Sequence, residues 1–373
     1  MAEQFGTDPW PPVPQEGREA FVPLSSARST AAGALQQAQR TWLPVLTLYL
    51  LAPLIAEMLT GSTPPLMWNN VGGIILTTGL YGSGAVLVRE LARRRGLSWS
   101  RLALLGAAYG VLEEGMAYQS WFNPHWVNPP DAARLFKVNW TFALIFTTIH
   151  VTLSIMSSVI IAETLFPQQA KRPWLGRKGF VGLTLWLGAV ASWLFFTYGF
   201  LLFRGKGYDH PPVTYVIAPL IFVVFLWLGL RRRTASAPAQ AGSGDPLRPA
   251  PRLWTLRLAA FGAAFVVLAN LLFVRNLIPI ALLPIGMVAG VDLVGVLLVR
   301  QWAKRSGWGA QHRLALVSGV MGVFIVAAPI FEFVLRVNHY QGLTLVNLCA
   351  LGGLIWLAWL VKRQGNRVAQ PSL

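Results

Sequence analysis

Residues 71–95 read VGGIILTTGLYGSGAVLVRELARRR, and this stretch decides the fold class. Its first eighteen residues carry no charge, and Arg89, Arg93, Arg94 and Arg95 then follow within seven positions. An uncharged run of this length is long enough to cross ~30 Å of hydrocarbon as a helix. Arginines collect at the cytoplasmic end of such helices. The stretch therefore predicts a transmembrane helix whose C-terminal end faces the cytoplasm.

The whole chain has the composition of a multi-pass membrane protein. Of its 373 residues 54% are hydrophobic and 12% are charged, about half of the ~25% charged residues of a soluble domain. Its mean hydropathy is +0.52. The net charge of +17 does not indicate a nucleic-acid partner, because the basic residues form short clusters between apolar runs. The single Cys349 excludes a disulfide scaffold.

Ten apolar runs are long enough to span a bilayer, and each must be helical because irregular backbone cannot face lipid. The sequence thus predicts an all-α, polytopic membrane protein of about ten transmembrane helices. The predicted spans are 42–59, 71–90, 102–121, 140–165, 180–203, 213–230, 256–274, 277–299, 314–335 and 343–361.

The loop charges predict the orientation of the chain. With these spans, 25 of the 31 Lys and Arg residues fall on the side that also holds both termini. By the positive-inside rule this side is cytoplasmic. We expect a protein of the cell membrane with both termini in the cytoplasm, and the lipid bilayer is its first partner.

The polar segments divide the chain into five parts. Residues 1–40 are predicted to be a disordered tail, 41–230 a six-helix half, 231–252 a cytoplasmic linker, 253–361 a four-helix half and 362–373 a second tail. Sequence alone indicates no oligomeric state.

The two halves share a short repeat. Twelve of the 25 positions in 87–111 are identical in 298–323 when one residue is inserted, and the loop residues Gly96 and Gly307 correspond. Chance matches between apolar sequences are the alternative explanation. We predict a parallel 4+2+4 arrangement, in which spans 1 to 4 superpose on spans 7 to 10 by rotation about the membrane normal.

The third and fourth spans hold the clearest functional candidates. Glu113 and Glu114 lie in the third span, with Glu113 ~18 Å from its cytoplasmic end, and His150 lies ~16 Å below the outer end of the fourth span. Ionisable residues at this depth cost several kcal/mol, so they mark functional sites by default. The three groups suit general acid–base catalysis, a proton relay or metal binding. The alternative is a buried cluster that only fixes helix packing.

Residue spacing places these groups on one face of the third span and one face of the fourth span, and we expect the two faces to contact each other. Polar residues three or four positions apart line the fourth span: Thr147, His150, Ser154 and Ser157. Small residues that permit close approach accompany the glutamate on the third span: Gly106, Gly110, Glu113 and Ala117. We expect Glu113 to meet His150, while Glu114, on the same face as Tyr118, orients it or holds a proton.

Other polar residues are weaker candidates. Tyr118 and the mid-span Asp292 are assigned with Thr147, Ser154 and Ser157 to a substrate or proton pathway, whereas Glu57 and Glu163 lie near span ends and are interpreted as interfacial. No metal-ligand spacing or phosphate-binding glycine loop occurs in the sequence, so no cofactor or metal is assigned.

Two stretches resemble known families. Glu113-Glu114 followed by Phe146-x-x-x-His150 resembles two motifs of the CPBP family, the glutamate-type intramembrane proteases that include type II CAAX prenyl endopeptidases. This resemblance implies that Glu113 is the general base, Glu114 its neighbour and His150 a ligand of the oxyanion or water. Tyr118 stands where that family has arginine, and the family's third His-x-x-x-Asn/Asp motif has no match. Residues 56–167 more closely resemble an uncharacterised prokaryotic membrane-protein family with no assigned activity.

Three classes of function follow from these observations. The preferred one is a transporter or permease that handles protons or a small-molecule substrate at the Glu-Glu/His site. The second is an intramembrane hydrolase of the CPBP type, which would act on a membrane-embedded substrate. The third is a non-catalytic assembly factor or complex subunit. Fold alone does not choose between them.

Overall fold

The computed structural model describes residues 41–126, 134–203, 211–231, 245–274, 277, 280, 282–336 and 340–369. The predicted tail 1–40 lies outside them. The described chain is almost entirely helical, so the prediction of an all-α membrane protein is confirmed.

Each predicted span corresponds to a helix. The ten helices are α1 Trp42–Leu59, α2 Val71–Arg94, α3 Trp99–Gly110 with its continuation Val111–Ala117, α4 Trp140–Leu165, α5 Arg177–Leu201, α6 Thr214–Leu230, α7 Leu253–Val274, α8 Leu282–Trp302, α9 Ala310–Val334 and α10 Leu343–Ala369. A short 3₁₀ helix, Pro65–Asn69, precedes α2.

Eight of these helices in the described chain are long and apolar enough to cross a membrane. The other two are α6, which has seventeen residues, and α3, which carries Arg101, Glu113 and Glu114. The helix with the weakest membrane signal is thus the one that holds the predicted site.

Four short strands lie in the connections between helices. β1 Arg134–Leu135 pairs antiparallel with β2 Val138–Asn139, and β3 Asp245–Pro249 pairs parallel with β4 Arg305–Ser306. Strand β3 falls inside the predicted linker 231–252, so part of that segment is ordered by pairing with the loop after α8. Most of the predicted C-terminal tail is helical, since α10 continues to Ala369. Basic residues near its C-terminus stabilise this helix, because they interact favourably with the negative end of the helix dipole.

Helix α3 packs against α2, α4, α5 and α6. Glycines allow this close packing. A Cβ on Gly84 of α2 would lie 2.0 Å from the Tyr109 ring, and one on Gly110 would lie 3.0 Å from Cβ of His150. Without side chains at these two positions, α3 can bring Glu113 and Glu114 to α4.

The helices change to π-helical geometry near the predicted site. These segments are Leu54–Leu59 in α1, Thr78–Gly82 in α2, Val111–Ala117 in α3, His150–Ser157 in α4 and Thr197–Leu201 in α5. π-helical turns are rare and occur often at functional sites. Five helices of the first half depart from α-helical geometry, and α7 and α9 do so as well at Asn270–Val274 and Ile330–Val334, so this geometry is not confined to the predicted site.

The packing does not confirm the parallel repeat. Helix α7 packs along α9, and Gly319 brings the two backbones together at the carbonyl of Arg257. The corresponding helices α1 and α3 are not among the closely packed pairs of the described residues. The matched loop glycines do share a left-handed conformation, with φ of 60° at Gly96 and 77° at Gly307. The repeat beyond this loop stays a prediction.

A buried ion-pair network lies at the end of the helices where the arginines cluster, here called the basic side. Glu163 of α4 accepts hydrogen bonds from Arg89 Nε at 3.0 Å and Arg93 Nε at 2.6 Å. Arg89 is fully buried, also donates to three carbonyls of the α4–α5 loop, and lies 3.3 Å from the ring centroid of Trp174. Glu163 lies two residues from the end of α4, as its position in the sequence suggested, but it is buried against two arginines instead of open to water.

Candidate functional site

The structure brings Glu113, Glu114 and His150 together inside the helix bundle. Oε2 of Glu113 lies 3.4 Å from Nδ1 of His150, and Oε1 of Glu114 lies 3.1 Å from Nε2. Their exposed fractions are 0%, 6% and 3%. A carboxylate thus stands at each nitrogen of one buried imidazole.

Glu114 makes the closer contact, which corrects the division of roles expected from the spacing. Adjacent residues on an α-helix differ by ~100° in direction, and only Glu113 was expected to face His150. The continuation of α3 is π-helical over Val111–Ala117, and its wider turn brings both side chains toward α4. Glu114 also accepts a hydrogen bond from Ser120 Oγ, a group that the sequence did not single out.

Polar and aromatic groups hold the imidazole in place. Ser154, one turn along α4, lies with its Oγ 3.1 Å from Nδ1. The rings of Tyr81 and Tyr109 lie on His150 with centroid distances of 6.0 and 6.1 Å, the first stacked and the second edge-on. These neighbours restrict the rotation of the ring between the two carboxylates.

Glu113 lies in the least satisfied environment of the cluster. Its carboxylate oxygens form no hydrogen bond of good geometry among the described residues, although the hydroxyls of Tyr81 and Tyr109 lie close enough to interact with it. Its contact with His150 is an ion pair without hydrogen-bond geometry. Burial of such a carboxylate is costly. A proton or a cation would offset this cost.

A third carboxylate, Glu57 of α1, belongs to the same region. It accepts a hydrogen bond from the hydroxyl of Tyr81 and another from Thr63 Oγ1 at 2.6 Å. It also interacts electrostatically with His150 and Tyr198. The interpretation of Glu57 as an interfacial residue missed this role. Its position as the single charged residue of span 42–59 is the signal that could have indicated it.

An aromatic cluster covers the site on the side opposite the basic side. Tyr118, at the end of α3, lies 4.9 Å from Tyr198 of α5 and 5.6 Å from Trp126, measured between ring centroids. Trp126 and Tyr198 are 5.2 Å apart. Tyr118 had been assigned to a pathway, and the structure places it in this cluster, next to Glu113.

Three other predicted site residues lie outside the cluster. The hydroxyl of Ser157 donates to the carbonyl of Thr152 in its own helix, at 2.7 Å. Thr147 is half-buried, and its backbone packs on Gly110. Asp292 of α8 accepts a hydrogen bond from Thr148 Oγ1 at 2.6 Å, so it joins α8 to α4.

The donor atoms of the cluster are close enough to share a cation. One ligand atom from each of Glu113, Glu114 and His150 lies within 4.8 Å of the others. One imidazole nitrogen and two carboxylate oxygens would suit zinc or another first-row divalent metal. They would equally suit protons, since imidazole and carboxylate exchange protons near neutral pH.

The fold and the site define a polytopic helical membrane protein with a buried glutamate–histidine cluster. The chain belongs to a family described as an uncharacterized membrane protein family, which matches residues 46–364. It is also similar to an uncharacterized protein of Archaeoglobus fulgidus, with 27% identity over 184 residues. That alignment covers 47% of this chain and 54% of the relative, so the chain spans about half the length of the curated relative it matches. No solved structure matches the chain. Neither of the two matches is to a CPBP-type protease.

Proposed function

We propose that this protein is a proton-coupled membrane transporter in which Glu113, His150 and Glu114 carry the proton. The observation that carries this proposal is the placement of one carboxylate at each ring nitrogen of a buried imidazole. This expectation agrees with the preferred interpretation of the sequence.

The geometry suits a stepwise relay. A neutral imidazole carries one N–H and one lone pair. A proton on the Glu113 carboxyl group can pass to Nδ1, which forms imidazolium, and the proton on Nε2 can then pass to Glu114. One proton enters and one leaves, and His150 is then neutral with its proton on Nδ1. Reorientation of the ring, which exchanges the positions of the two nitrogens, would complete the cycle. Ser154 contacts Nδ1 of His150, and Ser120 donates a hydrogen bond to Glu114.

The net negative charge of the site also supports the transport of a cation. Glu57, Glu113 and Glu114 are carboxylates, and among the described residues none of the three forms an ion pair with lysine or arginine. Two of these carboxylates are buried and Glu57 is half-buried, and such a group stays in the membrane only with protons or another cation. The arginines of α2 do not neutralise these carboxylates, because they already form ion pairs with Glu90 and Glu163.

An intramembrane hydrolase is the second candidate. The motif resemblance implied that Glu113, Glu114 and His150 meet, and their convergence is the observation that favours this function. In this role Glu113 would accept a proton from water as it attacks a peptide bond, and His150 would polarise the water or the oxyanion. Tyr118, at the position of the family's arginine, lies in the aromatic cluster instead.

Charge movement in reconstituted membranes tests the transport proposal without knowledge of the substrate. Proteoliposomes adsorbed on a solid-supported membrane receive a step to lower pH, and the transient current is recorded. We expect a current for the wild type and its loss in Glu113→Gln and His150→Ala at equal protein density. Glu332→Gln is the matched control, because this glutamate of α9 binds backbone N–H groups of residues 342 and 344 outside the cluster.

Equal currents in all variants, or none in the wild type, would contradict the proposal. The hydrolase is tested in the same liposomes with membrane-embedded peptides as the probe. Cleavage that disappears in Glu113→Gln and persists in Glu332→Gln would favour the hydrolase instead.

A further inference from the structure

A groove lies at the basic side between α7, α9 and α10, far in sequence from the glutamate–histidine cluster. Its volume is about 490 Å³. Leu314 and Ala315 of α9 and Ala358 of α10 form an apolar wall, while Arg257 of α7 and Lys362 of α10 stand at its edge. The groove therefore combines an apolar surface with two cations.

Neither cation has an acidic partner among the residues that the structure describes. Arg257 and Lys362 are both exposed, and neither forms an ion pair with an acidic side chain among the described residues. The arginines of α2 differ in this respect, because Arg89 and Arg93 bind Glu163. The groove thus offers two unpaired positive charges, which fit an anionic ligand.

The groove lies at the level where phospholipid headgroups are expected. Arg257 is in the first turns of α7, and Lys362 follows the last apolar residues of α10. Trp359, which also lines the groove, is 45% exposed, and tryptophan is enriched at the membrane–water interface. An occupant of this groove would therefore have its polar end at the interface and its apolar end in the hydrocarbon.

Close backbone packing makes the groove a defined shape. Gly319 allows α9 to approach the carbonyl of Arg257, where a Cβ would come within 2.3 Å. Leu314 and Ala315, one turn earlier on α9, are buried against the neighbouring helices. The wall and the backbone of Arg257 consequently keep a fixed separation.

We propose that this groove binds an anionic phospholipid of the leaflet on the basic side. The phosphate would lie between the Arg257 guanidinium and the Lys362 ammonium, which provide charge-assisted hydrogen bonds. One acyl chain would lie along Leu314, Ala315 and Ala358. Basic pockets between transmembrane helices bind anionic headgroups in this way.

Lipid binding to the full-length protein in detergent tests the inference. Native mass spectrometry counts bound dioleoyl phosphatidylglycerol, with dioleoyl phosphatidylcholine as the neutral lipid of equal chain length. We expect phosphatidylglycerol to bind in preference. Arg257→Gln and Lys362→Gln should each weaken it about fivefold, and together about 30-fold, from the contribution of one basic residue near an anionic lipid. Lys304→Gln and Arg300→Gln, exposed basic-side residues outside the groove, should leave it unchanged.

A second variant separates the acyl chain from the phosphate. Ala358→Trp fills the groove and keeps both cations, so it should reduce phosphatidylglycerol binding. Added inorganic phosphate should not displace the lipid. The inference is overturned if the control variants weaken binding as much as the groove variants do. Equal binding of phosphatidylcholine, or displacement of the lipid by inorganic phosphate, would overturn it too. This test is independent of the proton relay.

Discussion

His150 has a carboxylate at each of its ring nitrogens, and the proposed proton transfer depends on these two contacts. Glu114 is held by His150 and Ser120, whereas Glu113 forms no hydrogen bond of good geometry among the described residues. The two neighbouring glutamates therefore differ in environment. Glu114 is the anchored member of the pair, and Glu113 is the one that can exchange its proton or cation.

The hydrogen bond between Tyr81 and Glu57 is predicted to stabilise the protein. Tyr81→Phe removes the donor and leaves a half-buried carboxylate oxygen without it, which should lower the free energy of unfolding by ~1–3 kcal/mol. Thermal unfolding in detergent measures the change. Tyr49→Phe is the control, since the Tyr49 hydroxyl accepts an exposed hydrogen bond from Trp186 Nε1, and its loss should cost less than ~1 kcal/mol. Equal losses would contradict the assigned role of Tyr81.

At the scale of elements, the site depends on how closely the helices approach. π-helical segments in α1 to α5 present Glu57, Tyr81, Glu113, His150 and Tyr198 to one region. Glycines on α2 and α3 remove the side chains that would hold these helices apart. Helix contact and local helix geometry together create the site.

Gly110→Ala should separate α3 from α4. The added Cβ would lie 3.0 Å from His150 Cβ and 3.4 Å from Thr147 Cα, so overpacking should cost ~1–3 kcal/mol of unfolding free energy. The pH-driven current should fall with it, because the contacts of His150 lengthen. Gly182→Ala on α5 is the matched control. Nothing lies within 4 Å of its added Cβ, and alanine is favoured over glycine in a helix by ~1 kcal/mol. Destabilisation of both variants to the same extent would sink this prediction.

At the scale of the whole molecule, different interactions hold the helices of the first half together at their two ends. An ion-pair network around Arg89 ties α2, α4 and the α4–α5 loop together on the basic side. The aromatic cluster of Tyr118, Trp126 and Tyr198 covers the opposite side. The glutamate–histidine cluster thus lies between the ion-pair network and the aromatic cluster.

Arg89→Ala should be strongly destabilising. It leaves Glu163 with one arginine and three loop carbonyls without their donor. Breaking a buried ion pair by removal of one partner costs ~3–5 kcal/mol. Arg95→Ala, an exposed arginine of the same cluster, should stay within ~0.5 kcal/mol of the wild type. The melting temperatures of both variants in detergent measure the difference. Similar values would show that the network adds no stability.

The membrane orientation can be tested with single cysteines. Cys349→Ser removes the one native thiol, and Lys171→Cys or Ser62→Cys then adds one on the basic or the opposite side. A membrane-impermeant maleimide should label Ser62→Cys in intact cells and Lys171→Cys only after permeabilisation, because basic loops stay in the cytoplasm. The reverse labelling pattern would invert the predicted topology.

Composition and spacing were enough to predict the class of protein, the positions of the helices and the three residues that cluster inside the bundle. These features follow from local properties: the length of an apolar run, the charges that flank it, and the cost of an ionisable residue within it. Helix bounds differ from the predicted spans mostly at the ends, where polar residues such as those of α10 extend the helix beyond the apolar run.

Only the tertiary structure decided which further residues share the site. Glu57 joins the cluster through Tyr81, while Asp292 binds Thr148 and Glu163 lies buried between two arginines. All three are acidic residues within or near a span, so their local sequence does not distinguish them. Their roles depend on the rotation of each helix about its axis and on the choice of neighbouring helix. Both are set by contacts between residues far apart in the chain, which hydropathy and spacing do not encode.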